Sequence, residues 1–236
     1  MLEIKNLSKK YSNKLVINNI SIKLKEGTIT GLFGVNGSGK STLMKIISGL
    51  VIKDSGDILL NNNLLDINDV SAMIEEPTFY NNLSGYDNLY LLKILNNNIN
   101  KEDIINALNN VGLSNKMNEK YSKYSLGMKQ RLYIASCLIR NTKVLLLDEP
   151  FNGIDPISLA LIEKLLIKLK DDGKIILISS HEIRELQELV DKVIFIDNGK
   201  IIYDNNKMNN ENIFDLFLKY VDNSGNVEWL NIIYIY

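Results

Sequence analysis

The chain has 236 residues, 45% of them hydrophobic, so it is long enough to bury a full core. Its 27 basic and 28 acidic residues leave a net charge of −1, which gives no support for a nucleic-acid-binding surface. The single cysteine, Cys137, excludes a disulfide within the chain, and neither a secretory signal nor an apolar run of the ~18 residues that span a bilayer is visible.

Apolar and polar residues alternate through the first thirty positions, as at Leu2, Ile4 and Asn6, and again at 57–60. A period of two is typical of strands that have one solvated face. The N-terminal part is therefore predicted to be an antiparallel β subdomain.

A glycine-rich segment, Gly34-Val35-Asn36-Gly37-Ser38-Gly39-Lys40-Ser41, lies between a β-branched apolar run at 28–33 and helical apolar spacing at 41–47. It matches the phosphate-binding loop pattern, in which glycines let backbone N–H groups point at phosphate oxygens. Lys40 is predicted to reach the β- and γ-phosphates, and Ser41 to supply a hydroxyl for Mg²⁺. The residues assigned to the nucleotide here are Gly34, Asn36, Gly37, Ser38, Gly39, Lys40, Ser41 and Thr42.

Helical apolar spacing from about 77 to 142 predicts an inserted helical lobe. Beyond it, apolar runs at 144–147, 175–178 and 193–196 alternate with helical segments at 157–169 and 182–189. This alternation predicts buried parallel strands with crossover helices, and hence an α/β fold with a mostly parallel sheet. We assign 1–221 to one domain and 222–236 to a short C-terminal tail, which could be either an added edge strand or a partner-binding tail.

Two carboxylates, Asp148 and Glu149, end the apolar run at 144–147. Buried carboxylates are costly unless they face a polar site, so Asp148 is predicted to hold Mg²⁺ and Glu149 to polarise the attacking water. His181, the only histidine, follows the run at 175–178. From position alone it could be a ligand-binding residue or a residue that starts a helix.

The segment Tyr124-Ser125-Leu126-Gly127-Met128-Lys129-Gln130-Arg131 resembles the signature of the ABC ATPases. The phosphate loop, Asp148-Glu149-Pro150, Asn152-Gly153-Ile154-Asp155-Pro156 and Ser179-Ser180-His181-Glu182 occur in that family's order. The resemblance extends from Met1 to about Tyr203.

The resemblance implies an ATP sandwich, in which two nucleotide-binding domains pair head to tail. Ser125 and Gly127 would then contact the γ-phosphate held by the other domain, and Asp155 would link the two sites. It also implies that His181 bonds the γ-phosphate and that Tyr11 stacks on adenine. A tyrosine at a strand edge remains the alternative for Tyr11.

The chain departs from the family pattern in two places. Leu126 and Met128 replace a glycine and a glutamine of the usual signature. Where the family usually has a glutamine that touches Mg²⁺ and the attacking water, the segment 72–77 places Glu75, with Glu76 as the alternative occupant. Glu75 is therefore predicted to be both a metal ligand and a catalytic residue, and an added carboxylate would alter metal binding.

The Glu75-Glu76-Pro77 stretch and the signature variant resemble the subgroup that exports peptide antibiotics, as in bacitracin resistance and lantibiotic immunity. The resemblance implies a cytoplasmic, Mg²⁺-dependent ATPase that sits at the inner face of the membrane. It would form a homodimer and drive separate membrane-spanning permease subunits, with no nucleic-acid partner. A soluble ABC-type switch in translation, repair or cofactor assembly is the alternative, and a small-molecule kinase leaves the signature unexplained.

Overall fold

The computed structural model describes residues 1–75, 79–95, 99–181, 183–207 and 212–222. Glu76, Pro77 and the tail from 223 onward lie outside these residues, so the predictions made for them stay predictions. The strands are β1 (Leu2–Tyr11), β2 (Lys14–Leu24), β3 (Thr28–Phe33), β4 (Ser55–Leu60), β5 (Asn63–Leu64), β6 (Val70–Met73), β7 (Val144–Asp148), β8 (Ile175–Ser180), β9 (Lys192–Asp197) and β10 (Lys200–Asn206). The helices are α1 (Lys40–Ile47), α2 (Gly85–Leu95), α3 (Lys101–Asn110), α4 (Leu126–Leu138), α5 (Pro156–Asp171), α6 (Ile183–Leu186) and α7 (Ile213–Asp222).

The described strands form two sheets. The first has the order β2-β1-β4-β5 and its pairings are antiparallel, as the alternation of the N-terminal sequence predicts. The second has the order β10-β9-β3-β8-β7-β6, in which only the outermost pair, β10 with β9, is antiparallel. The predicted α/β fold with a mostly parallel sheet is confirmed.

The central strands are nearly continuous apolar runs because both faces of the parallel sheet are covered. Every residue of β8 is buried, and so are the first four residues of β7. One face packs on α1 and the antiparallel sheet, through Leu43, Leu146 and Leu177. The other face packs against the helices α4 and α5, through residues such as Leu147.

Helices α2, α3 and α4 lie within the segment 77–142, for which the sequence predicts a helical lobe. The helix predicted at 182–189 is shorter in the structure, where α6 covers four residues before a turn leads to β9. Strand β10, which the sequence reading did not predict, pairs with β9 through a turn at Asn198 and Gly199, both of which have positive φ.

The order of the parallel strands matters most for function. Parallel neighbours end at the same edge of a sheet, and ligands bind beyond that edge. The carboxyl ends of β3, β8, β7 and β6 follow one another along it, so the segments that leave these four strands are brought together.

Candidate active site

The phosphate-loop residues connect the end of β3 to the first turn of α1. Helix α1 begins at Lys40 without a side-chain cap, and Gly39 before it has φ 115°, a conformation that side chains other than glycine rarely adopt. A helix start with uncapped N–H groups is suited to an anion. A cavity of about 240 Å³ opens here, lined by Val16, Val35, Asn36, Gly37, Gly39, Lys40, Ser41, Thr42 and Glu149.

Close contacts require a glycine at the first position of the loop, Gly34. A Cβ added to Gly34 would lie 2.3 Å from the carbonyl oxygen of Ile196 and 2.7 Å from Ser38 Oγ. The Ser38 hydroxyl is itself buried and has no hydrogen-bond partner among the described residues. A buried hydroxyl without a partner is unfavourable, so it fits a loop whose polar groups await phosphate oxygens.

Lys40 lies inside the loop. Its Nζ donates hydrogen bonds to the carbonyl oxygens of Gly34, at 2.6 Å, and Val35, at 3.1 Å, and it lies 3.9 Å from Glu149 Oε1. Burial lowers the pKa of Lys40, while Glu149 and Asp148 oppose that effect. The ammonium group is thus held where a triphosphate would offer it stronger partners than two carbonyls.

Asp148 and Glu149 leave the carboxyl end of β7 next to β8. The Ser179 hydroxyl of β8 donates to Asp148 Oδ1 and accepts from the backbone N–H of Glu149 at 3.1 Å. Glu149 has φ 50°, an uncommon conformation for a residue other than glycine. One serine therefore holds both the Asp148 carboxylate and the main chain of Glu149.

His181 lies just past the end of β8, where its Nδ1 is 2.8 Å from Glu149 Oε2. Its backbone N–H also approaches the same oxygen, at 3.3 Å. The structure therefore brings the only histidine to the predicted catalytic carboxylate. A histidine in this place can orient Glu149. The bond from His181 to the γ-phosphate that the sequence resemblance implies stays a prediction.

Glu75 follows the end of β6 and forms an ion pair with Lys45 of α1. Its side chain is 70% exposed and its φ is 68°. A second cleft, of about 530 Å³, contains Glu75 together with the predicted metal ligands; it is lined by Ser41, Lys45, Met73, Glu75, Leu126, Gln130, Tyr133, Asp148, Glu149, Asn152 and Gly153. We call it the catalytic cleft.

The donor set of the catalytic cleft suits a hard cation. Within the described residues, no three acidic, histidine or cysteine side chains are grouped closely enough to hold a metal by themselves. Mg²⁺ commonly keeps several waters and binds through one or two carboxylates together with substrate phosphates. Ser41, Asp148 and Glu75 therefore fit a Mg²⁺ ion that binds with a nucleotide.

Ser125, Gly127 and Asp155 lie at the facing starts of α4 and α5. Ser125 caps α4 by accepting from the N–H of Met128 at 3.2 Å, and Asp155 caps α5 by accepting from the N–H of Ser158 at 2.9 Å. The hydrogen bonds that Asp155 accepts from the backbone N–H and the hydroxyl of Ser158 lower the pKa of Asp155. The three residues are brought to each other and do not line the cavity at the phosphate loop.

Tyr11 ends β1, where its ring is 45% exposed and lies 5.3 Å from Lys9 Nζ. It is not among the residues that line the phosphate-loop cavity, where Val16 occupies the side nearest the antiparallel sheet. Adenine stacking on Tyr11 therefore stays a prediction.

Sequence reasoning missed three residues that shape this site: Ser179, Lys45 and Tyr133. Lys45 lies four residues after Ser41, so helical spacing could have indicated that both face the same cleft. The Tyr133 hydroxyl donates to the carbonyl oxygen of Ile74 at 3.3 Å and so anchors the segment that carries Glu75. Burial raises the pKa of Tyr133 to about 12, which keeps this donor protonated.

The family model of the ABC transporter matches residues 17–152, which is more than half of the chain. The chain belongs to the ABC transporter family. This match and the relatives below confirm two predictions. The chain is an ATP-binding subunit with ATPase activity, and it resembles the lantibiotic and bacitracin subgroup.

A lantibiotic transport ATP-binding protein of Streptococcus pyogenes is 41% identical over 220 residues, covering 92% of this chain and 96% of the relative. A bacitracin transport ATP-binding protein of Enterococcus faecalis is 38% identical over 209 residues, covering 86% of this chain and 68% of the relative.

The solved ATP-binding subunit of an ABC transporter superposes with a TM-score of 0.83 at 23% identity, covering 94% of this chain and 99% of that chain. An ATP-binding cassette solved as a dimer with ADP and Pi gives 0.78 at 24% identity, covering 87% of this chain and 98% of that chain. At these identities the structures support the fold alone. Within the described part of this chain, no helix is both long and apolar enough to cross a bilayer.

Proposed function

We propose that this chain is the Mg²⁺-dependent nucleotide-binding subunit of an exporter of peptide antibiotics, and that it works as a homodimer with separate membrane-spanning permease subunits. The observation that carries the proposal is the convergence of the phosphate loop, Asp148, Glu149 and His181 at one sheet edge. The relatives named for lantibiotic and bacitracin transport support the substrate class.

Each group has a distinct task in ATP hydrolysis. The phosphate loop and Lys40 bind the triphosphate, and Glu149 orients and polarises the attacking water. His181 holds Glu149 through its Nδ1, at 2.8 Å. Ser41 and Asp148, with Glu75 beside them, would hold a Mg²⁺ ion, which would neutralise charge at the phosphates.

The dimer is supported by the placement of Ser125 and Gly127, which lie outside the cavity formed by the chain's own phosphate loop. Ser125 begins a helix, and helix starts favour anions. In a head-to-tail pair, this helix start would face the triphosphate of the second copy. Such a dimer gives a role to the start of α4, which lies away from the chain's own phosphate loop.

A permease partner is supported by a further cleft of about 740 Å³ between the edge strand β6 and helices α2 and α4. Its lining includes Leu50 and Ile67, which are 67% and 60% exposed, and also Leu92 and Ile99. Apolar side chains in a concave surface favour a protein partner. We propose that a cytoplasmic segment of the permease docks in this cleft, which places the chain at the inner face of the membrane.

The catalytic part of the proposal is tested with Glu149→Gln. This variant should bind ATP and Mg²⁺ but lose nearly all turnover, and it should accumulate as an ATP-dependent dimer in size-exclusion chromatography. A variant that remains a fully active monomer would refute both the role of Glu149 and the dimer.

The partner is tested with tagged Glu149→Gln, incubated with ATP and Mg²⁺ and recovered from gently solubilised membranes of the native cells. Mass spectrometry should identify a polytopic membrane protein. Ile67→Asp should abolish this recovery because it places a charge among the apolar side chains of this cleft, whereas Ile167→Asp, at an exposed position of α5, should not. Recovery of ribosomes or soluble proteins alone would contradict the transporter reading.

The substrate class is tested by deleting the chain in its host and measuring sensitivity to a lantibiotic, to bacitracin and to an antibiotic of an unrelated class. We expect increased sensitivity to at least one of the two peptide antibiotics and an unchanged response to the third compound. Equal responses to all three would exclude peptide-antibiotic export.

A further inference from the structure

The ion pair between Lys45 and Glu75 connects two elements that flank the catalytic cleft. Lys45 lies one helical turn beyond Ser41 on α1, and Glu75 lies two residues beyond the end of β6. The Lys45 side chain is 28% exposed, so it is partly covered by its surroundings, whereas Glu75 is 70% exposed. The contact therefore depends on Lys45 holding an otherwise solvated carboxylate.

The charges in the catalytic cleft show why such a contact matters. Three of the residues lining it carry carboxylates: Glu75, Asp148 and Glu149. Glu149 faces Lys40 and His181, and Asp148 accepts from the Ser179 hydroxyl. Lys45 is the cation in contact with the third carboxylate, Glu75.

The backbone around Glu75 is held independently of this ion pair. The carbonyl oxygen of Ile74 accepts a hydrogen bond from Tyr133 of α4, and Met73 is paired with Leu147 in the sheet. These two contacts hold the main chain that leads into Glu75, whereas the Glu75 side chain is 70% exposed and can turn. Lys45 contacts Oε1 of this carboxylate, and its positive charge weakens the attraction of the whole carboxylate for a divalent cation.

We propose that Lys45 is a positioning residue that competes with the divalent cation for the Glu75 carboxylate. This inference rests on the proposed magnesium site. In the ion pair the positive charge of Lys45 offsets the negative charge of Glu75. The pair then resembles, in net charge, the uncharged glutamine that the family resemblance implies at this position. Opening of the pair releases the carboxylate to the metal, so Lys45 sets how firmly Mg²⁺ is held.

Removing the Lys45 charge should therefore strengthen metal binding. Exposed ion pairs contribute up to about 1 kcal/mol, which corresponds to a factor of about two to five in an equilibrium constant. Lys45→Met should lower the Mg²⁺ concentration needed for half-maximal nucleotide binding by about this factor. Lys45→Arg, which retains the charge, should behave like the unmodified chain.

The experiment titrates Mg²⁺ against the purified protein and a fluorescent, non-hydrolysable ATP analogue, with binding followed by fluorescence anisotropy. This readout does not depend on turnover, and the metal affinity of the free analogue is common to all samples. The series comprises the unmodified chain, Lys45→Met, Lys45→Arg, Glu75→Gln and the double variant of Lys45→Met with Glu75→Gln. Circular dichroism confirms that each variant is folded.

The double variant is the decisive sample. If Lys45 acts through the carboxylate, Lys45→Met should have no effect once Glu75 is glutamine. Lys23→Met, which removes a lysine paired with Glu3 on the antiparallel sheet, serves as a matched control and should leave the Mg²⁺ titration unchanged.

Two negative outcomes are distinguishable. If the unmodified chain binds the analogue without any need for Mg²⁺, the proposed metal site itself fails. If its binding depends on Mg²⁺ but Lys45→Met titrates identically, or shifts equally with and without the Glu75 carboxylate, the role assigned to Lys45 is overturned alone.

Discussion

The substitution Gly127→Ala tests how closely α4 and α5 approach each other. A Cβ on Gly127 would lie 2.6 Å from Asp155 Oδ2 and 2.6 Å from Ser158 Oγ. These two oxygens are hydrogen-bonded to each other at 2.7 Å, and Asp155 also caps α5 through its other carboxylate oxygen. An added methyl group therefore cannot be accommodated by turning one free side chain.

Two effects of opposite sign determine the result. Replacing a helical glycine by alanine ordinarily stabilises a protein by about 1 kcal/mol. Against this, overpacking costs about 1–3 kcal/mol, and displacing the Asp155 cap costs about 0.5–2 kcal/mol. The contacts at Gly127 lie well inside van der Waals distance, so together these terms predict that the unfolding free energy falls by about 0.5–4 kcal/mol.

Urea denaturation followed by circular dichroism measures this change for Gly127→Ala alone and in an Asp155→Ala background. Without the Asp155 carboxylate one of the two closest contacts disappears, so the same substitution should cost less there. A stabilised Gly127→Ala, or an equal cost in both backgrounds, would refute the packing argument.

Three other predictions concern single residues. Lys40→Ala should abolish nucleotide binding or turnover, because it removes the cation at the β- and γ-phosphates; normal ATPase activity would contradict this. Ser179→Ala should lower turnover about tenfold or more with the fold retained, because Asp148 and Glu149 lose their common partner; kinetics and circular dichroism check it. Burial raises the pKa of the Cys137 thiol to about 12, so maleimide should label Cys137 slowly in the native protein and rapidly in urea.

Site residues that lie within one short sequence motif could be predicted from the sequence. Three segments each contain the sequence signals for a strand and for its end: the phosphate loop with the run before it, the run before Asp148 and the run before His181. The structure places the ends of all three at one edge of the sheet. Strand β10 was missed although Asn198-Gly199 is a strong hairpin signal. The apolar run after it, at 201–203, is shorter than the four-residue runs at 144–147, 175–178 and 193–196, and the structure leaves it half-buried.

The ion pair between Lys45 and Glu75 could not have been predicted, because it depends on the order of the strands. Glu75 reaches α1 only because β6 pairs with β7 at the edge of the sheet, beyond the strand that ends in Asp148. Sequence spacing places the two residues 30 positions apart and gives no sign of this order. The same holds for Ser179, whose role follows from β8 being the neighbour of β7.

The catalytic cleft and the proposed permease cleft share three elements. Ser41 and Lys45 of α1 line the first, and Ser48, at the end of the same helix, lines the second. Strand β6 contributes Met73 to the catalytic cleft and Ala72 to the other.

Helix α4 extends this pattern, since its residues Gln130 and Tyr133 line the catalytic cleft while its residues Ser136 and Cys137 line the proposed permease cleft. Packed helices and strands move as units because protein interiors are dense. A shift of α4 relative to β6 must therefore change both clefts together. In the proposed transporter, this shared framework couples a permease segment docked at one end to the Glu75 carboxylate at the other.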